Sequence, residues 1–161
     1  MTAPLARIAG IVPGLCCTAL LSVPAFADHG SSRESDADHR ASLSVNIAGL
    51  RSNKGQVGCS IYANAKGFPK DSSAALQRQW CPILSNRSSC RFESLLAGTY
   101  AVGCFHDENS NGRLDTGLLG IPTEGVVASN QAKGFMGPPK FDAAKFKFSG
   151  APSQITLKME Y

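Results

Sequence analysis

Between His106 and Gly125 the chain reads HDENSNGRLDTGLLGIPTEG, and oxygen-bearing side chains recur there at alternate positions: Asp107, Asn109 and Asn111, then Gly112 and Asp115. A hard cation such as calcium is held by about six to eight oxygens, and the EF-hand loop supplies them in this rhythm. Side chains at its positions 1, 3 and 5 would be Asp107, Asn109 and Asn111. Gly112 would make the sharp turn, Arg113 would offer its backbone carbonyl, and Asp115 would act through water. The pattern departs at position 12, where Leu118 stands in place of a bidentate glutamate, and no helical pattern flanks the loop. It is therefore not an EF-hand. Glu124 or Glu108 is left to complete the shell, and two assured carboxylates predict an affinity of only about 10⁻⁴ to 10⁻³ M. The competing reading needs no metal: Asp and Asn fold back on their own backbone in Asx turns, and Gly112 takes a positive φ.

The same stretch offers acid–base groups. His106 with Asp107 or Glu124 could serve a hydrolase-like enzyme, and this is the alternative to a non-enzymatic structural or binding module. No nucleophile motif accompanies them. Ser129, the one serine to consider, sits in ASNQ and lacks a nucleophile elbow. A histidine ending a strand is expected to brace the loop after it, so no residue is assigned a catalytic role, and the module is the leading reading.

These groups must be positioned by strands. Leu43, Val45 and Ile47 alternate with polar residues over 42–48, and Val57, Cys59 and Ile61 do so over 56–63, the period of half-buried strands. The two segments are expected to pair as a hairpin across the 49–55 turn. Residues 64–80 lose the alternation and read as a long connection with a helical turn at 73–79. Further strands are expected at 89–93, 99–106, 125–129, 145–148 and 153–161, the last with Ile155, Leu157 and Met159 on one face. About seven short strands with turn signals between them predict an all-β chain folded as a single β-sandwich, with a long loop after the 99–106 strand.

Residues 1–27 have the layout of a cleavable signal peptide, with Arg7 as the only charge, an apolar centre around 15–23 and Ala25-Phe26-Ala27 as the cleavage site. Pro13 and Pro24 interrupt the run, so no transmembrane segment is expected in the mature chain, and a periplasmic or secreted protein is. Residues 28–40 are polar and without period, the composition of a disordered tail, and 41–161 form the domain. Cys59, Cys81, Cys90 and Cys104 remain after processing, an even number that predicts two disulfides in an exported chain. Three pairings are open. Cys81 and Cys90 could close a local loop, and Cys59 could meet Cys104 if both face inward.

The net charge is only +4 and the Lys and Arg are scattered, which gives no support for nucleic acid as a partner. Phe135, Met136, Phe141 and Phe146 gather around two prolines at 134–146. They are expected to cover one end of the core; exposed, they would instead mark a surface for a protein, peptide or small-molecule partner.

The run FESLLAGTYAV resembles a pattern of transthyretin-like and carboxypeptidase-regulatory-like β-sandwiches. YAVGCFHDENSNGRLD, GIPTEG at 120–125, Ser129-Asn130 and GPPKFDAAKF at 137–146 together resemble the exported bacterial family Domain of Unknown Function 2141. That resemblance implies export and a sandwich-like, transthyretin-like or Ig-like fold, and implies no activity.

Overall fold

The computed structural model describes residues 40–161, and the expected signal peptide and all but the last residue of the expected tail lie outside them. Nine strands build two sheets: β1 (Ala41–Ala48), β2 (Gln56–Tyr62), β3 (Gln77–Cys81), β4 (Ile83–Leu84), β5 (Arg87–Leu95), β6 (Gly98–Asp107), β7 (Val126–Ala128), β8 (Phe146–Phe148) and β9 (Ser153–Lys158), with one short helix, α1 (Phe141–Ala144). One sheet runs β4-β5-β1-β9; the other runs β3-β2-β6-β7, with β8 also on β6. The chain is all-β, a two-sheet sandwich. Among the described residues no helix is long and apolar enough to cross a membrane.

Alternation decides which faces meet. Leu43, Val45 and Ile47 of β1 and Cys90 and Phe92 of β5 point inward onto Val57, Cys59 and Ile61 of β2 and Val102 and Cys104 of β6, all essentially inaccessible. At about 25 cal/mol per Å² of apolar surface this shared core is the main stabilising term.

The expected hairpin of the first two strands does not form. β1 pairs antiparallel with β5 and parallel with β9, while β2 pairs with β3 and β6. The 49–55 turn crosses from one sheet to the other, because both strands carry large apolar faces that are buried better against each other than side by side in one sheet. The expected 64–80 connection is also shorter than its sequence suggests. A single 3₁₀ turn at Ser72–Ala74 leads into β3, whose inward residues include Gln77 and Gln79, so no apolar alternation betrays it. Gln77 replaces that signal with hydrogen bonds: its amide donates to the Glu93 carbonyl (2.7 Å) and accepts from the Glu93 N–H (3.3 Å), tying the two sheets together.

Both disulfides form. Cys59 and Cys104 sit directly opposite each other on β2 and β6. Cys81–Cys90 is not a local hairpin clasp, because it joins β3 of one sheet to β5 of the other. A second, smaller cluster lies outside the main core, where Phe68 stands edge-on to both Tyr62 and Phe141 over Ala101, Ala128 and Ala144.

Candidate functional site

β6 delivers His106 and Asp107 to the end of the sandwich, where both are wholly buried (0% exposed). The 49–55 turn closes over them. Gly55, at φ +70°, lies so near that a Cβ there would fall 1.9 Å from the Asp107 carbonyl oxygen, so only glycine fits.

Each ring nitrogen of His106 has a partner: Nε2 lies 2.8 Å from the Lys54 carbonyl and Nδ1 2.6 Å from the Tyr161 hydroxyl. A carbonyl only accepts, so Nε2 carries the proton, and in the neutral ring Nδ1 accepts from Tyr161. Tyr161 in turn accepts from the Arg51 N–H (3.0 Å). Burial raises the Tyr161 phenol above its ordinary value, with the neighbouring Glu108 adding to the rise, while the Arg51 N–H bond works the other way. The Arg51 guanidinium lies over the Tyr161 ring and 2.6 Å from Glu108 Oε1, a close ion contact not aligned as a hydrogen bond.

The carboxylates after His106 organise backbone. Asp107 accepts from the Asn111 N–H (3.0 Å) on one oxygen, and from the Gly112 N–H (2.9 Å) and the Gln56 amide (2.9 Å) on the other. Glu124, almost wholly buried, accepts from the Glu108 N–H (2.8 Å) and the Asp115 N–H (2.9 Å), one per oxygen. Asn109 and Asn111 accept from the N–H groups two residues on, at 3.1 and 3.0 Å, the Asx turns of a tight loop. Their amide nitrogens converge on the Asp115 carboxylate at 2.6 and 2.9 Å. Arg78, stacked over Trp80, donates to the Gly112 carbonyl and holds the loop against β3.

The predicted loop residues Asp107, Asn109, Asn111, Arg113, Asp115 and Glu124 thus lie in one hydrogen-bonded mesh. No group of three or more His, Cys, Asp or Glu side chains arranged to hold a metal is found among the described residues. Gln56, Arg51 and Tyr161 are contributors the sequence did not announce. Tyr161, the aromatic at the end of the expected 153–161 strand, was the one with a signal to read, although the strand itself ends at Lys158.

Ser129 is buried and structural. It accepts from the Val102 N–H (2.9 Å) and donates to the Ala144 carbonyl (2.6 Å), splicing β6 where its partner changes from β7 to β8. Two shallow clefts, of about 170 and 450 Å³, are lined by residues including Ser129, Gln131 and Leu157, and Asn46, Arg87 and Thr156; His106, Asp107 and Glu124 line neither. The 134–146 segment divides. Phe141 and Phe146 pack inward as expected, while Phe135 and Met136 stand in solvent.

A family model described as an uncharacterized protein conserved in bacteria (DUF2141) matches residues 45–156. The chain belongs to that family. No curated relative matches it. Among solved structures it is similar to a leucine-rich repeat protein from Bacteroides thetaiotaomicron, at 17% identity and a TM-score of 0.33 over 75% of this chain and 12% of that one. It is also similar to a pilus-presented adhesin, at 8% identity and a TM-score of 0.26 over 77% of this chain and 27% of that one. The chain thus spans well under a third of either structure's length. As a member of DUF2141 it presents a sandwich whose best-organised polar feature is the 106–125 loop.

Proposed function

We propose that this DUF2141 protein is an exported, non-enzymatic binding module whose sandwich holds irregular loops in fixed positions. The observation that carries this reading is the state of His106. An acid–base catalyst needs a histidine and a carboxylate converging on space that a substrate can enter. Here both ring nitrogens are spent on Lys54 and Tyr161, and the Asp107 and Glu124 oxygens are spent on amides. Two disulfides suit an oxidising compartment, which supports export.

The 107–115 loop is the module's candidate calcium site. Its donor set fits a hard cation in part: Asp115 supplies charge and Asn109 and Asn111 present their amides to it, while both Asp107 oxygens are already engaged by the Asn111 and Gly112 N–H groups and Gln56. Aiming their oxygens at a cation beside Asp115 gives up the Asx-turn bonds from the Asn111 and Arg113 N–H groups, so calcium has to compete with those bonds. Glu124, with both oxygens on backbone N–H groups, is better suited to bracing the loop than to ligation. Calorimetric titration of the chain from Asp28 with calcium and magnesium tests the site, with Asp115→Asn as the control that spares the Asp107 mesh. Calcium-specific heat with a dissociation constant of about 10⁻⁴ to 10⁻³ M, lost in the variant, is expected. No response at millimolar calcium would leave the loop a purely hydrogen-bonded structure.

A further inference from the structure

The two sheets are unequal, five strands against four, and β9 is the end of the smaller one, paired with β1 on one side and with no strand on the other. A strand's backbone groups point to its two sides at alternate residues. The Met159 N–H donates to the Ala48 carbonyl, so Leu157 and Ile155 face β1 as well, and Gln154, Thr156 and Lys158 face the open edge. Lys158 is paired there by a side chain standing in for a strand: the Gln131 amide accepts from its N–H (2.8 Å) and donates to its carbonyl (3.0 Å). The backbone groups of Gln154 and Thr156 have no hydrogen-bond partner among the described residues. An unmet edge of this kind is a template for another strand.

Beside that edge lies the cleft of about 170 Å³ in which Gln131, Phe146, Ile155, Thr156 and Leu157 meet. Phe146 and Ile155 pack against the core yet stay only half-buried there. A small-molecule site usually encloses about 300 Å³ or more, and this cleft is shallower. A strand needs no depth. Laid along β9, it would bring the smaller sheet to five strands, pair with Gln154 and Thr156, and turn every second side chain onto Phe146 and Ile155. Charge selects its remaining side chains. On the outward positions of the smaller sheet's strands stand three cations, Arg87, Arg91 and Lys158, against one acid, Glu93. Beyond Lys158, Glu160 is ion-paired to Lys133 at 2.8 Å, so that pair adds no net charge.

We propose that the β9 edge takes up an extended peptide whose side chains alternate apolar and acidic. Its backbone pairs with Gln154 and Thr156, its apolar residues cover Phe146 and Ile155, and its acidic residues lie on the outward face beside Lys158. The proposal rests on the binding-module reading and names its partner. Two other occupants suit the edge less well. Residues 28–40 of this chain carry no apolar side chain larger than Ala37 to set against Phe146. A second copy, pairing β9 with β9, meets Gln131 at one end and Pro152, which has no N–H to give, at the other. An overlap of so few residues is small beside the roughly 800 Å² per partner of a stable interface.

The test is titration of the chain from Asp28, in EDTA, with a capped peptide of about seven residues alternating glutamate and valine, followed by backbone amide NMR shifts. Saturable binding with a dissociation constant of about 10⁻⁴ M is expected, the shifts concentrated on residues 154–158. The same peptide N-methylated along its backbone should bind at least about ten-fold more weakly, and one with lysine for glutamate at least about three-fold more weakly. Thr156→Pro removes only an outward N–H and should weaken binding too, with the rest of the amide spectrum reporting that the fold is kept. Absence of binding at about 1 mM peptide would overturn the proposal. So would binding that N-methylation leaves intact, that is equal for the lysine peptide, or that moves amides elsewhere. A dimer in sedimentation without peptide, lost in Thr156→Pro, would assign the edge to a second copy instead. Because EDTA is present throughout, failure here is separate from failure of the calcium site.

Discussion

Two long irregular excursions cover this sandwich, and they differ in what lies at their centre. The 107–125 loop is organised by two buried carboxylates: Asp107 and Glu124 between them accept four backbone N–H bonds, from Asn111, Gly112, Glu108 and Asp115. The 63–76 connection and α1 pack through aromatic edges, with Phe68 between Tyr62 and Phe141, and their polar ties are local or on the surface: Asp71 caps the 72–74 turn through the Ser73 N–H and hydroxyl, and Ser129 and Asn130 hold α1 by its carbonyls. A charged acceptor fixes the direction of each bond it receives, so the first region is set residue by residue. Aromatic packing fixes area and little else. The first region should therefore be brittle to single changes and the second tolerant.

The sharpest way to break that comparison is Asp107→Ala, measured by urea unfolding in EDTA. Three hydrogen bonds disappear and the Asn111 and Gly112 N–H groups lose their charged acceptor, so a loss of about 3 to 5 kcal/mol is expected. Phe68→Ala is the matching change in the second region. Phe68 is only half-buried and its neighbours can settle toward the gap, so about 2 kcal/mol is expected. Equal losses at the two sites would remove the distinction.

How far each region was legible follows from the same physics. Alternation in Leu43-Val45-Ile47 and Val57-Cys59-Ile61 marked β1 and β2 because inward residues must be apolar, yet alternation says nothing about which strand lies alongside, and the expected hairpin proved to be a crossover between sheets. The oxygen rhythm of Asp107, Asn109 and Asn111 marked a tight loop. Nothing in that rhythm told that Glu124 would clamp it from the far end, because a carboxylate holding two backbone N–H groups looks in sequence like any other acid. β3 stayed hidden for a related reason. Its Gln77 substitutes a side-chain amide for apolar burial at a sheet edge, as Gln131 does on the Lys158 backbone, and an edge glutamine carries no periodic signature. Phe135 and Met136 show the converse: composition placed them over the core, but the tight turn from Gly134 to Gly137 turns them out.

The gentlest probe uses a tyrosine from each region. Tyr161 belongs to the polar mesh and Tyr62 to the aromatic cluster, and burial raises both phenols above their ordinary value of 10.0. A group whose folded-state value is raised stabilises the fold fully below its unfolded value and loses that contribution as pH climbs through the folded one. Stability should hold steady from neutral pH to about 9 and then fall from about pH 10 upward, as the unfolded chain ionises first. Tyr161→Phe and Tyr62→Phe, followed by melting temperature across that range, should each flatten part of the alkaline decline. The two differ below it. Removing the Tyr161 hydroxyl leaves His106 Nδ1 without a donor and the Arg51 N–H without an acceptor, so Tyr161→Phe should cost about 1 to 2 kcal/mol already at neutral pH. The Tyr62 hydroxyl shares its one proton between the Pro69 and Asp71 carbonyls in long bonds of 3.2 and 3.3 Å, and its removal should cost under about 1 kcal/mol. A neutral-pH loss in Tyr62→Phe as large as in Tyr161→Phe would mean that hydrogen bonding orders both regions alike.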